Sequence, residues 1–290
     1  MEQELWVTKL VNLALAKPAA ALLAALGRHP DPRAPIPNHV AMELFVFLIA
    51  AIFLLWLRPR LSADRPGGVQ WAMEYLITNP WRLGVKDMLE DFLGHGGETH
   101  MAIIGSIGLF ILFSNLISLI PTLESPTAVV TVPLGCALFV FVYYHWSGIR
   151  KQGAGKYGKQ FLGPLPLMVD VLKGLPGWVK FLAGPVILLV GPFMPIVELF
   201  SHCARILSLT ARLWANMLAS ETIYVQFLAM SLGLALFCGK FHVLGYPAWI
   251  VPVVVPTLFV GLHIFVAFIQ AFVFTILPVI YVGGAVAEHH

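Results

Sequence analysis

The chain has 290 residues, 59% of them hydrophobic and 11% charged, with a formal net charge of +3 and a mean hydropathy of +0.83. Soluble domains run nearer about 45–50% apolar and about 25% charged, so this composition excludes a water-soluble globular protein and reads as a polytopic membrane protein. The small basic excess is spread over connecting segments, which leaves no nucleic-acid footprint, and the isolated Cys136, Cys203 and Cys238 offer neither a disulfide framework nor a CxxC metal site.

The N-terminal segment begins Met1-Glu2-Gln3-Glu4 and is interrupted by Lys9, Asn12 and Lys17. A secretory signal needs a basic start and an unbroken apolar core, so an amphipathic surface helix is expected over about residues 3–26 instead. Ala41–Leu57 is a long apolar run closed by Arg58, Pro59 and Arg60. With modest flanks it reaches the roughly 20 residues that cross a bilayer. Gly67–Phe92 carries Gln70, Glu74, Arg82, Lys86, Asp87, Glu90 and Asp91 among Trp, Met, Leu and Val. It is too polar to span but suited to the interface.

Met101–Pro121 and Thr127–Trp146 contain no Asp, Glu, Lys or Arg, and Glu124 lies in the Pro-bounded connection between them. They read as a hairpin of two spans. Gly148–Gln160 has Arg150, Lys151, Lys156 and Lys159 and no acid. The positive-inside rule places it in the cytoplasm with Arg58–Arg65, and puts the N-terminus and the Glu124 turn outside.

Phe161–Phe193 is apolar but broken by Pro164, Pro166, Pro176, Pro185 and Pro192, so short bent or interfacial segments are expected. Two long hydrophobic helices follow, over Met194–Phe237 and Val251–Val282. At about 1.5 Å per residue the first is on the order of 60 Å long, roughly twice the bilayer core, and has to tilt, bend or protrude. The expected fold is all-α, with about five to six membrane helices, the last two long and strongly tilted, plus the N-terminal amphipathic helix. Residues 1–38 form the interfacial segment and residues 39–290 one membrane domain.

Gly153-Ala154-Gly155-Lys156-Tyr157-Gly158-Lys159-Gln160 matches both GxGxxG and GxxxxGK. A membrane helix rather than a βαβ strand precedes it, and Gln160 replaces the hydroxyl residue that would hold magnesium, so no nucleotide site is expected. The ten histidines are scattered, without HxxxH or HExxH spacing, so no metal or cofactor is called for either.

The chemistry concentrates on Glu198–Gln226. A guanidinium at the bilayer centre costs at least roughly 2.5–3.5 kcal/mol, so Arg212 is a functional candidate by default. Taking Glu198 as zero, His202 falls at about 40°, Arg205 at about −20°, Ser208 at about −80°, Arg212 at about −40° and Asn216 at about 0°. Ser220 extends this stripe and Glu221 lies off it, at about 140°. On the last helix, His263, Gln270 and Tyr281 share a sparser polar face. Two facing polar stripes in lipid point to an aqueous or proton-relay path. Plainer readings stand beside this one. Arg205 can snorkel or pair with Glu198, Ser208 and Asn216 can bond neighbouring helices, and Tyr281 can belong to an interfacial belt. Arg212 has no carboxylate three or four residues away on either side.

Glu198-Leu-Phe-Ser-His202-Cys-Ala-Arg205-Ile-Leu-Ser208-Leu-Thr-Ala-Arg212-Leu-Trp-Ala-Asn216-Met-Leu-Ala-Ser-Glu221 resembles the signature E-x-I-S-H-x-A-R-P-L-S-L-x-x-R-L-F-x-N-M-x-A-x-E of subunit a of bacterial F-type ATP synthase. His263, Gln270-Ala-Phe-Val-Phe and Tyr281 are similar to that family's last helix, and Val69–Glu74, Val85–Met88, Asn115-Leu and Pro126-Thr127 resemble it upstream. Ile206 stands where a proline is usual and Trp214 where a phenylalanine is usual, and the Pro-rich stretch Leu165–Val190 is longer than in typical members. The resemblance implies a multi-pass stator in the bacterial inner membrane, with an outer N-terminus and a cytoplasmic C-terminus. It would face a ring of c subunits and join the b subunits of the peripheral stalk and the rest of the F1Fo complex. It further implies that Arg212 handles the ring carboxylate, with Asn216 near it. Glu221, His263 and Gln270 would serve the outward half-channel, and Glu198, His202 and Ser208 the cytoplasmic one. The rival reading from the residues is a secondary transporter or channel whose intramembrane arginine binds an anion.

Overall fold

The computed structural model describes residues 4–25, 27, 35–62, 66–77, 84–120, 122–160, 176, 191–241 and 250–286. Among them the chain forms nine α-helices, linked in places by short 3₁₀ turns, and no strand. They are α1 (Trp6–Ala25), α2 (Asn38–Leu57), α3 (Gly68–Ile77), α4 (Val85–Leu93), α5 (Glu98–Leu116), α6 (Thr131–Gln152), α7 (Ala154–Gln160), α8 (Met194–Phe241) and α9 (Ile250–Val286). Of the Pro-rich region 161–193, only Pro176 and the 3₁₀ turn Gly191–Phe193 lie within the described residues.

Among the described residues, five helices are long and apolar enough to cross a membrane: α1, α2 with its turn to Arg60, α5 to Leu119, α6, and Thr257–Val286 of α9. Helix α8 carries Glu198, Arg205, Arg212 and Glu221, and it packs along α6 and α9, both of which qualify. With 48 residues it is about 72 Å long, and α9 with 37 is about 55 Å, so neither stands upright in a core of about 30 Å.

Helix α9 is the element around which the others assemble, packing against α4, α5, α6 and α8. Phe274, Val279 and Val282 of α9 meet Ile104 and Ile111 of α5, Val140 and Tyr144 of α6, and Leu209, Leu213 and Met217 of α8 in one core. The close approach of α5 to α9 is made possible by Gly108, where an added Cβ would collide with the Thr275 hydroxyl. Small residues at such crossings let helices in lipid gain dispersion contact, which replaces the hydrophobic drive available in water.

The segment expected at the interface is split into α3 and α4. Helix α4 buries Met88 and Leu89 against the core while Lys86 reaches Glu90 at 3.7 Å and Glu98 at 3.4 Å, so it has the two faces of an interfacial helix. Helix α1 blurs the faces expected of it: Thr8 and Asn12 are buried while Leu10, Leu13 and Leu22 are exposed. It pairs with the first part of α2, through Trp6 on Phe45 and Val7 beside Met42 and Val46. Asn12 clamps the Ile36 backbone, donating from Nδ2 to the carbonyl and accepting the N–H, each at 3.1 Å.

The glycine-rich segment is a helix junction. Gly153, at φ 81°, ends α6 with its N–H on the Ile149 carbonyl at 2.9 Å, and Gly155 and Gly158 lie within α7 facing open space. Tyr157 of α7 folds back onto Gly148, where any Cβ would strike its ring, and burial pushes the phenol above its ordinary range, with Arg205 acting in the opposite sense.

Gly108→Val is expected to force α5 off α9 at an overpacking cost of about 1–3 kcal/mol. Immunoblots of membranes should then show less of the protein, whereas Gly105→Val, which meets nothing within 4 Å, should leave its level unchanged.

Candidate functional site

Helix α8 sorts its side chains by direction. Leu209, Leu213 and Met217 are buried in the core, whereas Ser208, Arg212 and Asn216 lie on the exposed side among Leu207, Leu218 and Ile223. The polar stripe read from the sequence therefore straddles two faces of α8. His202 and Ser220, on its inner edge, turn into the bundle, and Arg212 turns out of it. Among the described residues the ion pairs are Lys86 with Glu90 and Glu98, and Glu198 with His202, and no carboxylate pairs with Arg212.

Beyond Arg212, toward the C-terminus of α8, a buried polar network joins α5, the connection after it, α8 and α9. His263 on α9 is 3% exposed. Its Nδ1 lies 2.7 Å from Ser220 Oγ, and its Nε2 lies 3.2 Å from the Asn115 carbonyl and 3.0 Å from Ser118 Oγ. A carbonyl only accepts, so Nε2 carries the proton and Nδ1 accepts from the Ser220 hydroxyl. Ser118 in turn donates to the Asn115 carbonyl at 3.0 Å. Glu221, partly buried next to Ser220, accepts the Ser125 N–H at 3.0 Å. Ser125 Oγ donates to the Ser114 carbonyl at 2.9 Å, and Thr127 Oγ1, 2.6 Å from Ser125 Oγ, donates to Asn115 Oδ1 at 2.6 Å. Two buried atoms of this network, Asn115 Nδ2 and Ser114 Oγ, have no partner among the described residues. Buried polar atoms of that kind are the groups that water satisfies.

Before Arg212 a second cluster forms where α6, α7, α8 and α9 meet. His202 is buried, with Nδ1 2.8 Å from the Tyr144 hydroxyl and Nε2 3.6 Å from Glu198 Oε1. The His145 ring lies against that of His202, Tyr157 meets His145 edge-on, and the Arg205 guanidinium sits 5.1 Å above the Tyr281 ring.

Glu221 lies 19 residues after His202, a rise of about 28 Å, which is the thickness of a bilayer core. Arg212 lies near the middle. Of the residues singled out by sequence, Glu198 and His202 come together in one cluster and Glu221 and His263 in the other. Gln270 is 4% exposed on α9, seven residues past His263. Ser208 and Asn216 stay with Arg212 on the outward face. Sequence reasoning placed Ser220 on the polar stripe but missed Ser118, Ser125, Thr127 and Tyr144 as members of these clusters. Their signal was faint, consisting of hydroxyls gathered at the end of an uncharged span and one tyrosine in a run of aromatics.

Residues 40–283 match the family described as ATP synthase A chain. The chain is 38% identical over 291 residues to ATP synthase subunit a of Koribacter versatilis, covering 100% of both chains. It is 37% identical over 276 residues to that of Solibacter usitatus, covering 95% of this chain and 98% of the other. With that of Aquifex aeolicus it shares 32% identity over 255 residues, 87% of this chain and 99% of the other.

A double-mutant cycle of Ser220→Ala with His263→Ala should give a coupling of about 0.5–3 kcal/mol in thermal unfolding of detergent-solubilised membranes. Ser208→Ala, which lies on the other face of α8, should add to His263→Ala within about 0.5 kcal/mol.

Proposed function

Since the chain belongs to the ATP synthase A-chain family and is thereby a multi-pass, non-catalytic subunit of the proton-conducting Fo sector, we propose that it forms two offset half-channels against a ring of c subunits, with Arg212 between them. The observation that carries this reading is the position of Arg212, unpaired among the described residues and outward-facing, near the middle of the stretch between two buried polar clusters about one bilayer apart.

A guanidinium in lipid needs a counter-charge, and an outward-facing one takes it from a neighbour. A carboxylate on each passing c subunit fits this requirement. The cation attracts the deprotonated carboxylate, makes protonation there unfavourable, and so releases the proton into one half-channel before the carboxylate is reloaded from the other. The same charge repels a hydrated proton and blocks a direct leak. Arginine suits the role because its guanidinium stays protonated when desolvated and forks onto a carboxylate, whereas a lysine can lose its proton.

In this reading Glu221, His263 and Gln270 serve the outward half-channel, Asn216 stands one turn from the arginine, and Glu198, His202 and Ser208 serve the cytoplasmic half-channel. The orientation supported by the basic residues of 58–65 and 148–160 has the Glu124 turn outside with Glu221 and His263. It has the α6–α7 junction inside with His202, the N-terminus outside and the C-terminus in the cytoplasm. Residues 39–290 are the membrane domain doing this work in a bacterial inner membrane. Residues 1–38 attach at its outer edge, and the b subunits of the peripheral stalk hold the assembly against rotation.

In inverted membranes holding the whole complex, Arg212→Ala should abolish ATP-driven proton pumping while blots still show the subunit assembled. Coupled pumping retained by that variant would overturn the proposal. Glu221→Gln and His263→Ala should each slow pumping without abolishing it, because water and the neighbouring hydroxyls remain in the path.

A further inference from the structure

Tyr144 is 1% exposed in the middle of the second cluster, yet a phenol buried in lipid-facing helices needs a partner for its hydroxyl. That partner is His202 Nδ1 at 2.8 Å. The opposite ring nitrogen of His202 points to Glu198, 3.6 Å away and one helical turn earlier on α8. The neighbouring histidine cannot substitute. His145 Nδ1 lies 3.0 Å from the Phe141 carbonyl, which fixes its proton there, and its ring touches that of His202 only edge to face.

We propose that Tyr144 is a positioning residue that holds the His202 imidazole between Glu198 and itself, so that His202 and Glu198 exchange protons at the cytoplasmic opening. This rests on the half-channel reading above. A hydroxyl is suited to the task because it rotates. When Nε2 carries the only ring proton, the Tyr144 O–H donates to the bare Nδ1. When the ring proton sits on Nδ1, the same oxygen accepts the Nδ1–H instead, and the bare Nε2 takes a proton from the Glu198 carboxyl, leaving a carboxylate and an imidazolium. Transfer of the Nε2 proton to the Glu198 carboxylate then leaves neutral imidazole protonated at Nδ1 and still bonded to Tyr144. The ring keeps its plane in every protonation state, and Nε2 stays aimed at Glu198.

Among the described residues, Tyr144 and His145 from α6 and Glu198 from α8 meet His202, Arg205 from α8 acts on it through its charge, and behind them Tyr157 from α7 lies against His145 and Tyr281 from α9 against Tyr144. The Arg205 guanidinium lies over Tyr281 and also acts on the Tyr144 hydroxyl, so its positive charge stands beside the relay.

The test uses whole-complex proteoliposomes in which the pH on the cytoplasmic side is varied at constant pH on the other. Tyr144→Phe keeps the ring and removes the hydroxyl. It should slow proton transport about 2- to 12-fold, the size of one neutral hydrogen bond, and displace the dependence on cytoplasmic-side pH. His202→Gln, which cannot titrate, should flatten that dependence, and the double variant should match His202→Gln alone. Equal slowing at every pH, with the two substitutions adding, would overturn the proposal. If Tyr144→Phe does not assemble, the His202→Gln profile decides: flattening supports the proposal and an unchanged profile overturns it. Failure here leaves the loss of pumping in Arg212→Ala explained by the half-channel reading, whereas pumping by Arg212→Ala would remove that reading itself, so the two failures are distinct.

Discussion

A helix that carries charge through lipid has to satisfy each polar group inside the protein or present it to something outside, because hydrocarbon offers no hydrogen bonds. Helix α8 obeys this constraint in two ways. Its polar residues near either end, His202 with Glu198 and Ser220 with Glu221, turn inward and find hydroxyls, carbonyls and imidazoles on α5, α6 and α9. Arg212, between them, turns outward and finds no carboxylate among the described residues. The bundle can hold its polar ends because α9 runs along the whole arrangement, lending His263 to one cluster and Tyr281 to the other.

The length of α8 and α9 belongs to the same argument. A helix of bilayer length standing upright would bring the two clusters to opposite surfaces with nothing to spare. A helix of 48 residues is longer than an upright span needs, and where it tilts, tilting spreads the polar groups sideways as well as through the membrane. Two clusters joined by one tilted helix are displaced laterally from each other. A carboxylate moving past the outer face of α8 would then meet them in sequence, which is what separate entry and exit of protons demands.

Most of the architecture was legible in the sequence because membrane helices announce themselves by composition. Uncharged runs gave α5 and α6 to within about six residues of their ends. The site was legible by residue type more than by direction. Counting 100° per residue placed Arg212 and His202 on one stripe, separated by about 80°. That is within the width of a polar stripe but wide enough to fall on opposite sides of the boundary between core and surface. Only the packing of Leu209, Leu213 and Met217 fixes where that boundary runs. The partners on α5 and α6 were hidden for another reason. Serine and threonine in membrane helices commonly bond their own backbone, as Ser106 does to the Ala102 carbonyl at 2.6 Å, so a hydroxyl in an apolar run carries little information until a histidine is seen beside it.

The two clusters also differ in chemistry. Around His263 the partners are serines, a threonine, an asparagine and backbone carbonyls, with two buried polar atoms left for water. Such a lining suits water, and in the proposed reading a proton moves there by exchange between waters and small hydroxyls. Around His202 the partners are aromatic: Tyr144, His145, Tyr157 and Tyr281, with Arg205 stacked over one of them. Little space is left for water there, so the rings themselves have to be held in the right orientation and protons pass between fixed atoms. In the proposed reading, one side of Arg212 conducts through a hydrated polar pocket and the other through a packed aromatic relay. The second kind of path depends on single side-chain orientations, which is why an isosteric loss of one hydroxyl matters more at Tyr144 than at any one serine around His263.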